Sequence, residues 1–219
     1  MAFRLPNGST VDFAATYGAD VTITAISNAN PAVVSAAGHT YEEGDIVVIT
    51  SGWVRLTGRA FRVGTATTGT TFTLEDLDTT DTSRYPVGTS AGSVKDVATW
   101  VGIPQITSAT SSGGEQAFYT FGFLQESTDR QLPTTKSPSV LTLVVADDPD
   151  QPYVPVVERA DETQAETVQR LSLVDGSIIL YVSVASITMT PSLTRSEIMT
   201  RTITLAQQGQ IVRYAKKTV

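Results

Sequence analysis

Cysteine is missing from the whole chain, so disulfides and thiolate metal sites are excluded together. Stability must come from packing and assembly, and a reducing compartment suits such a sequence. Histidine occurs once, at His39. A lone imidazole with no second ligand or base at useful spacing is a poor metal or catalytic centre, and its expected role is a turn residue whose ring bonds to the backbone. No apolar run reaches the roughly 20 residues of a membrane helix. The first residues, Met1 to Pro6, lack the hydrophobic stretch of a signal peptide, so a soluble protein with no membrane role is expected. No glycine pattern precedes a helix and a lysine in the way a phosphate-binding loop requires. Basic residues are few as well: 15 Lys and Arg stand against 22 Asp and Glu, a formal net charge of -7. A nucleic-acid clamp needs the opposite balance to neutralise phosphates, so specific nucleic-acid binding is excluded.

The acidic groups do not form a site either. Glu42, Glu43 and Asp45 lack the alternating carboxylates and terminal glutamate of a calcium loop. Asp76, Asp78 and Asp81, interleaved with Thr79, Thr80 and Thr82, read as a solvated loop. With no nucleophile, base or ligand cluster in place, the chain is expected to be no enzyme and to carry no cofactor and no metal.

Threonine, serine, valine and isoleucine dominate what is present, a composition for strands. The clearest stretch runs from Thr167 to Ala215. Ile178, Leu180, Val182 and Val184 alternate with Ile179, Tyr181, Ser183 and Ala185, the period of two that separates the faces of a strand. The large apolar residues then shift to Ile187 and Met189, which predicts a β-bulge near Ala185 or Ser186. Val174-Asp175-Gly176 supplies the positive φ of a tight hairpin before this strand. The returning strand puts Met199, Arg201, Ile203 and Leu205 on one face, with Thr200, Thr202 and Thr204 on the other.

Upstream, residues 1–20 have weak periodicity and read as an N-terminal arm. Residues 21–97 read as an inserted small β-unit, with residues 88–92 as its exit linker, and residues 98–219 as the main domain. Within the latter, residues 108–114 read as a small-residue loop. Residues 116–124 form a strand whose Tyr119, Phe121 and Phe123 make a core ladder. Residues 125–138 are a long polar loop, and 140–146 a return strand. One helix is expected over residues 153–163, because Pro155 fits only in a first turn. Val156, Val157 and Ala160 would face the sheet, and Glu158, Arg159, Asp161 and Glu162 water.

In residues 21–97, "ITAISNANPAVV", "GHTYEEGDIVVI", "GWVRLTGRAFRV" and "TTFTLEDLDTT" resemble a small β-barrel-like module that recurs in phage virion proteins and is similar to one in ubiquitin-activating enzymes. Downstream, "QITSATSSGGEQAFYTFGFLQESTDRQLPT", "LTLVVADDPDQPYVPVVERA", "RLSLVDGSIILYVSVASITMT" and "MTRTITL" resemble the major tail tube proteins of long-tailed, siphovirus-type bacteriophages. That resemblance implies a mainly β fold: an antiparallel β-sandwich or barrel with one flanking helix, here with an inserted small all-β module decorating the outside. It implies hexameric rings stacked into a hollow tube in the virion tail, assembled in the host bacterial cytoplasm, through which double-stranded DNA passes without specific binding. The implied partners are further copies of the chain and the tail tip, tape measure and terminator proteins.

The family's inter-ring loop falls on residues 125–138, with Glu126, Asp129, Arg130, Gln131 and Lys136 as contact residues. An acidic chain repels phosphates from a channel wall, and Asp175 is a candidate lumen-facing acid, with an ordinary hairpin aspartate as the plainer reading of its turn chemistry. Arg195, Arg201 and Arg213, with Lys216 and Lys217, are candidate inter-subunit bases; an exposed basic end is the plainer alternative. Two other readings remain at this point: a single-ring terminator or baseplate hub protein, and a monomeric carbohydrate-binding adhesin that uses Trp53 and Trp100 as stacking surfaces.

Overall fold

Alternating polar and apolar residues become sixteen strands and one helix in this computed structural model, which describes residues 7–67 and 69–216. The strands of the first half are β1 (Thr10–Tyr17), β2 (Val21–Ile23), β3 (Ala25–Ile26), β4 (Ala32–Ser35), β5 (Ile46–Ser51), β6 (Arg59–Thr67) and β7 (Thr71–Leu74). There follow β8 (Gly92–Ile103), β9 (Ile106–Gly113), β10 (Gln116–Phe121), β11 (Arg130–Lys136) and β12 (Ser139–Ala146). After α1 (Tyr153–Thr163) come β13 (Glu166–Ser172), β14 (Ile178–Ile187), β15 (Thr200–Gln207) and β16 (Val212–Tyr214). The fold is mainly antiparallel β with one helix, as expected from the sequence.

Twelve strands follow one path, β3-β4-β7-β6-β5-β8-β1-β13-β14-β15-β12-β9, with β16 beside β14 and β2 beside β8. Among the described residues, β10 and β11 pair only with each other. The path is continuous because β8 is long: residues 92–96 pair with β5, and residues 97–103 pair with β1. The expected linker at residues 88–92 therefore runs straight into a strand shared by both units. Gly92 sits where a Cβ would lie 1.9 Å from the Thr50 carbonyl oxygen, so only glycine allows β8 to approach β5 this closely.

The expected arm differs too. Residues 10–17 form β1, held between β8 and β13, with Val11, Phe13 and Ala14 buried. Two register shifts, around Thr16, break the alternation and explain the weak periodicity of this stretch. Residues 1–6 of the arm lie outside the described residues.

Three clusters fill the interior. One lies within residues 21–97, around Trp53, Phe61 and Phe72. A second packs α1, through Tyr153, Val154, Val157 and Ala160, on Phe13, Leu143, Ile187, Ile203 and Leu205. The third joins the two units: Ile46 and Ala60 from one meet Val168, Leu180 and Tyr214 from the other.

β14 serves the second and third clusters from opposite faces. Ile178, Leu180 and Val182 belong to the third, Tyr181, Ala185 and Ile187 to the second. The expected bulge near Ala185 is absent, since pairing with β15 runs regularly from Ser183↔Gln207 to Ile187↔Ile203. The change of parity marks the point where burial passes from one face to the other. Buried polar groups here are satisfied between β14 and β13: Ser183 donates to Gln169 Oε1 at 2.7 Å, and Gln169 Nε2 donates to Thr167 Oγ1 at 2.8 Å.

The helix occupies 153–163 as expected, with Pro155 in its first turn. Its outer acids do more than meet water. Asp161 Oδ2 accepts from the Ile187 backbone N–H at 3.1 Å, and Glu158 accepts from Arg201.

Candidate assembly surfaces

Residues 108–113, read from the sequence as a loop, belong to β9, which pairs with β12 and is the outermost strand on that side of the sheet. From its end at Gly113 the chain leaves the sheet and returns at Ser139, directly opposite. Gly113 adopts φ +78°, and a Cβ there would lie 2.1 Å from the Pro138 carbonyl oxygen, so the crossing of the two legs requires glycine.

What projects between them is the β10–β11 hairpin. The expected long loop at 125–138 is thus strand over its second half. Cross-strand pairs Phe118↔Pro133, Tyr119↔Leu132, Thr120↔Gln131 and Phe121↔Arg130 set its two faces. Tyr119, Phe121, Phe123 and Leu132 share one of them. Tyr119 and Phe121 stack at 6.4 Å, and Phe123 meets Phe121 edge-on at 5.5 Å. The ladder is not core, because no sheet covers it: Tyr119 is 62% exposed and Phe123 54%.

The expected contact residues cluster here. Arg130 Nε donates to Glu126 at 2.9 Å, and its guanidinium lies 5.6 Å from the Phe123 ring centre. Gln131 Nε2 donates to Thr120 Oγ1 at 3.4 Å, and Asp129 lies against Gly122 in the turn. Lys136 sits at the root, beside an open cleft of about 670 Å³ lined also by Pro138, Gln207 and Ile211.

At the other end of the sheet, residues 188–199 connect β14 to β15. They expose Met189, Leu193, Ile198 and Met199. From the sequence, residues 191–197 read as a reversal, with Met189 on the strand before it and Ile198 and Met199 on the strand after; the strands instead stop at Ile187 and resume at Thr200, which leaves all four side chains outside the sheet. Arg195 is exposed in the same segment.

The remaining candidates divide. Asp175 Oδ1 accepts from the Ser177 backbone N–H at 2.8 Å within its hairpin, and Arg213 lies 3.8 Å from the other carboxylate oxygen. The candidate lumen acid and one candidate inter-subunit base are therefore partners in one chain. Arg201 differs from expectation. Its side chain is buried, donating to the Thr188 carbonyl at 2.8 Å and to Glu158 at 2.9 Å, with Asp147 at 4.0 Å. A strand face packed under α1 leaves it no route to another subunit. Lys216 is exposed, and Lys217 lies outside the described residues.

Other side chains have structural roles. His39 is buried, stacked on Tyr41 at 5.3 Å, and its Nδ1 accepts from the Tyr41 backbone N–H at 3.3 Å. Trp53 is enclosed, its Nε1 donating to the Pro86 carbonyl, and Trp100 is covered by Arg170 at 4.5 Å. Neither offers an open stacking platform for a sugar. Asp78 and Asp81 accept from Thr80 and Ser83 in local turns, and these hydrogen bonds hold both carboxyls below the usual range. Among the described residues there is no cluster of three metal-ligating side chains.

A family described as "Phage tail tube protein, TTP" matches residues 51–216. The chain belongs to that family. The match begins inside the span read as an insertion, so the tail tube family domain takes in β6, β7 and the shared strand β8. The family is structural and not enzymatic, and the chain is a component of the virion tail. Two solved assemblies contain similar chains. In the sheath-tube complex of an extracellular contractile injection system (PVC) in its extended state, a chain is 17% identical, with 48% of this chain and 79% of that one covered and a TM-score of 0.36. In the six-fold symmetrised baseplate of the anti-feeding prophage (AFP), the figures are 13%, 56%, 88% and 0.40. No curated protein matches the sequence.

Proposed function

We propose that this tail tube protein forms hexameric rings that stack into a hollow tube, a conduit for double-stranded DNA to which it makes no specific contact. The family match over residues 51–216 carries the reading. The charge balance supports it, because a wall of net negative charge repels phosphates and lets DNA slide. In the assembled tail, Asp175 faces the lumen beside its partner Arg213, Arg195 meets an acidic loop of a neighbouring copy, and the hairpin residues Glu126, Asp129, Arg130, Gln131 and Lys136 reach the next ring. Further copies of the chain are the main partner. Tail tip, tape measure and terminator proteins are its further partners in the tail. Assembly takes place in the host bacterial cytoplasm.

Light scattering and sedimentation of the purified protein against concentration test this. Open-ended growth from subunits is expected. A species that stops at one ring, or a monomer that binds sugars, overturns it.

A further inference from the structure

We infer that the aromatic face of the β10–β11 hairpin docks on the 188–199 segment of a second copy, so that each subunit carries a plug at one end and its receptor at the other. This rests on the stacked-tube reading and names the surface that receives the hairpin.

The hairpin cannot be self-sufficient. A two-stranded ribbon alone is marginally stable in water, and this one, among the described residues, pairs with no other strand while exposing Tyr119, Phe123 and Leu132 on one face and Leu124 at the turn beside them. A contiguous apolar face of this kind marks an interaction site. Residues 188–199 present the second such group, with Met189, Leu193, Ile198 and Met199; the two methionines are flexible enough to fit around aromatic rings.

Strand β12 fixes where the two patches stand. Its first residue, Ser139, is the hairpin root, and its last, Ala146, pairs with Thr200 at the edge of the receptor segment. Eight residues of strand separate the hairpin root from the edge of the receptor segment by about 25 Å, so the two patches stand at opposite ends of the sheet.

Opposite placement decides the occupant. A hairpin-to-hairpin contact is two-fold, closes on itself and leaves residues 188–199 bare. Plug into receptor is head-to-tail, covers both patches and repeats without end, as a tube requires. A specific interface needs on the order of 1,000 Å² of buried surface, more than either small patch can supply without the other. Charges of both signs flank each patch and allow pairing at the rim: Glu126, Asp129 and Arg130 by the plug, Arg195 and Glu197 by the receptor.

The absence of cysteine makes the test clean. Chains carrying Leu132→Cys with Leu193→Cys, or Leu124→Cys with Ile198→Cys, are oxidised after assembly and run under denaturing conditions. Covalent ladders extending well beyond six chains are expected. A ladder that ends at six places the contact within a ring, and one that ends at two means hairpins pair with each other; either overturns the assignment. Two aspartate variants give a second readout. Phe123→Asp with Leu124→Asp blocks the plug, and Leu193→Asp with Ile198→Asp blocks the receptor. All four positions are exposed, so both proteins should fold with unchanged circular dichroism and form rings that do not stack. Mixed, they should give paired rings and nothing longer, because one intact plug face meets one intact receptor face. Wild-type tubes together with stacking by the receptor variant would reject the receptor and leave the tube reading standing. Absence of rings and tubes from the unmodified protein rejects both.

Discussion

Tyr214 accepts a hydrogen bond from the Arg62 backbone N–H at 3.0 Å across 152 residues of sequence. The Arg62 guanidinium lies 4.6 Å from the centre of the same ring and pairs with Glu75. One residue of the last strand is thus held by the unit that the sequence suggested was a separate decoration. Truncating Tyr214 to alanine should destabilise by about 4 kcal/mol, the range for a large buried aromatic. Tyr214→Phe should cost about 1–2 kcal/mol, because it keeps the packing and strips the acceptor from Arg62. Equilibrium denaturation of the two variants separates these contributions.

Removal of residues 21–97 should abolish folding instead of giving a thinner tube. The deletion takes away β5 and β6, which cover Val168, Leu180 and Tyr214, and leaves β8 without its first half. Soluble yield and circular dichroism of the deleted chain decide it; a folded product would mean that the third cluster is dispensable.

Alkaline pH should weaken the fold through its buried phenols. Burial pushes Tyr214 and Tyr17 up from 10.0 to about 12 each, more than their hydrogen bonds with the Arg62 and Val168 backbone lower them. The unfolded chain releases these protons near pH 10 while the folded one retains them. Their stabilisation is therefore complete below pH 10 and lost as pH rises towards 12, at up to about 1.4 kcal/mol per pH unit for each phenol. Denaturation at pH 9, 10 and 11 should trace this fall, and Tyr214→Phe should make it shallower.

Two arginines proposed from the sequence for the same job should behave oppositely. Arg201→Ala leaves Glu158 and Asp147 without a cation beneath the helix and should cost about 3 kcal/mol or more. Arg195→Ala, at an exposed site, should stay within about 0.5 kcal/mol of the parent, so any loss of assembly it causes reports a contact between subunits.

These contrasts also mark what was legible in advance. The helix could be placed because Pro155 fits only in a first turn, and the Asp175-Gly176 hairpin because its turn needs positive φ, which Gly176 adopts. β12 and β15 alternate cleanly because each has one covered face. β9 was hidden by composition: a run of serine, threonine, alanine and glycine with both faces exposed has no apolar period to read. β1 was hidden by its register shifts. The hairpin's aromatic period was visible, but alternation is the same whether the apolar face meets a core or another copy. What Arg201 does depended on which way β15 faced α1, a tertiary fact that spacing alone does not carry.

Negative-stain electron microscopy of the concentrated, purified protein tests the central claim most directly. The account predicts hollow tubes of constant diameter whose end-on views average to six-fold rings, and whose stacking disappears when residues 116–136 are replaced by a short glycine link. Uniform single rings, or monomers up to the highest concentration reached, would contradict it.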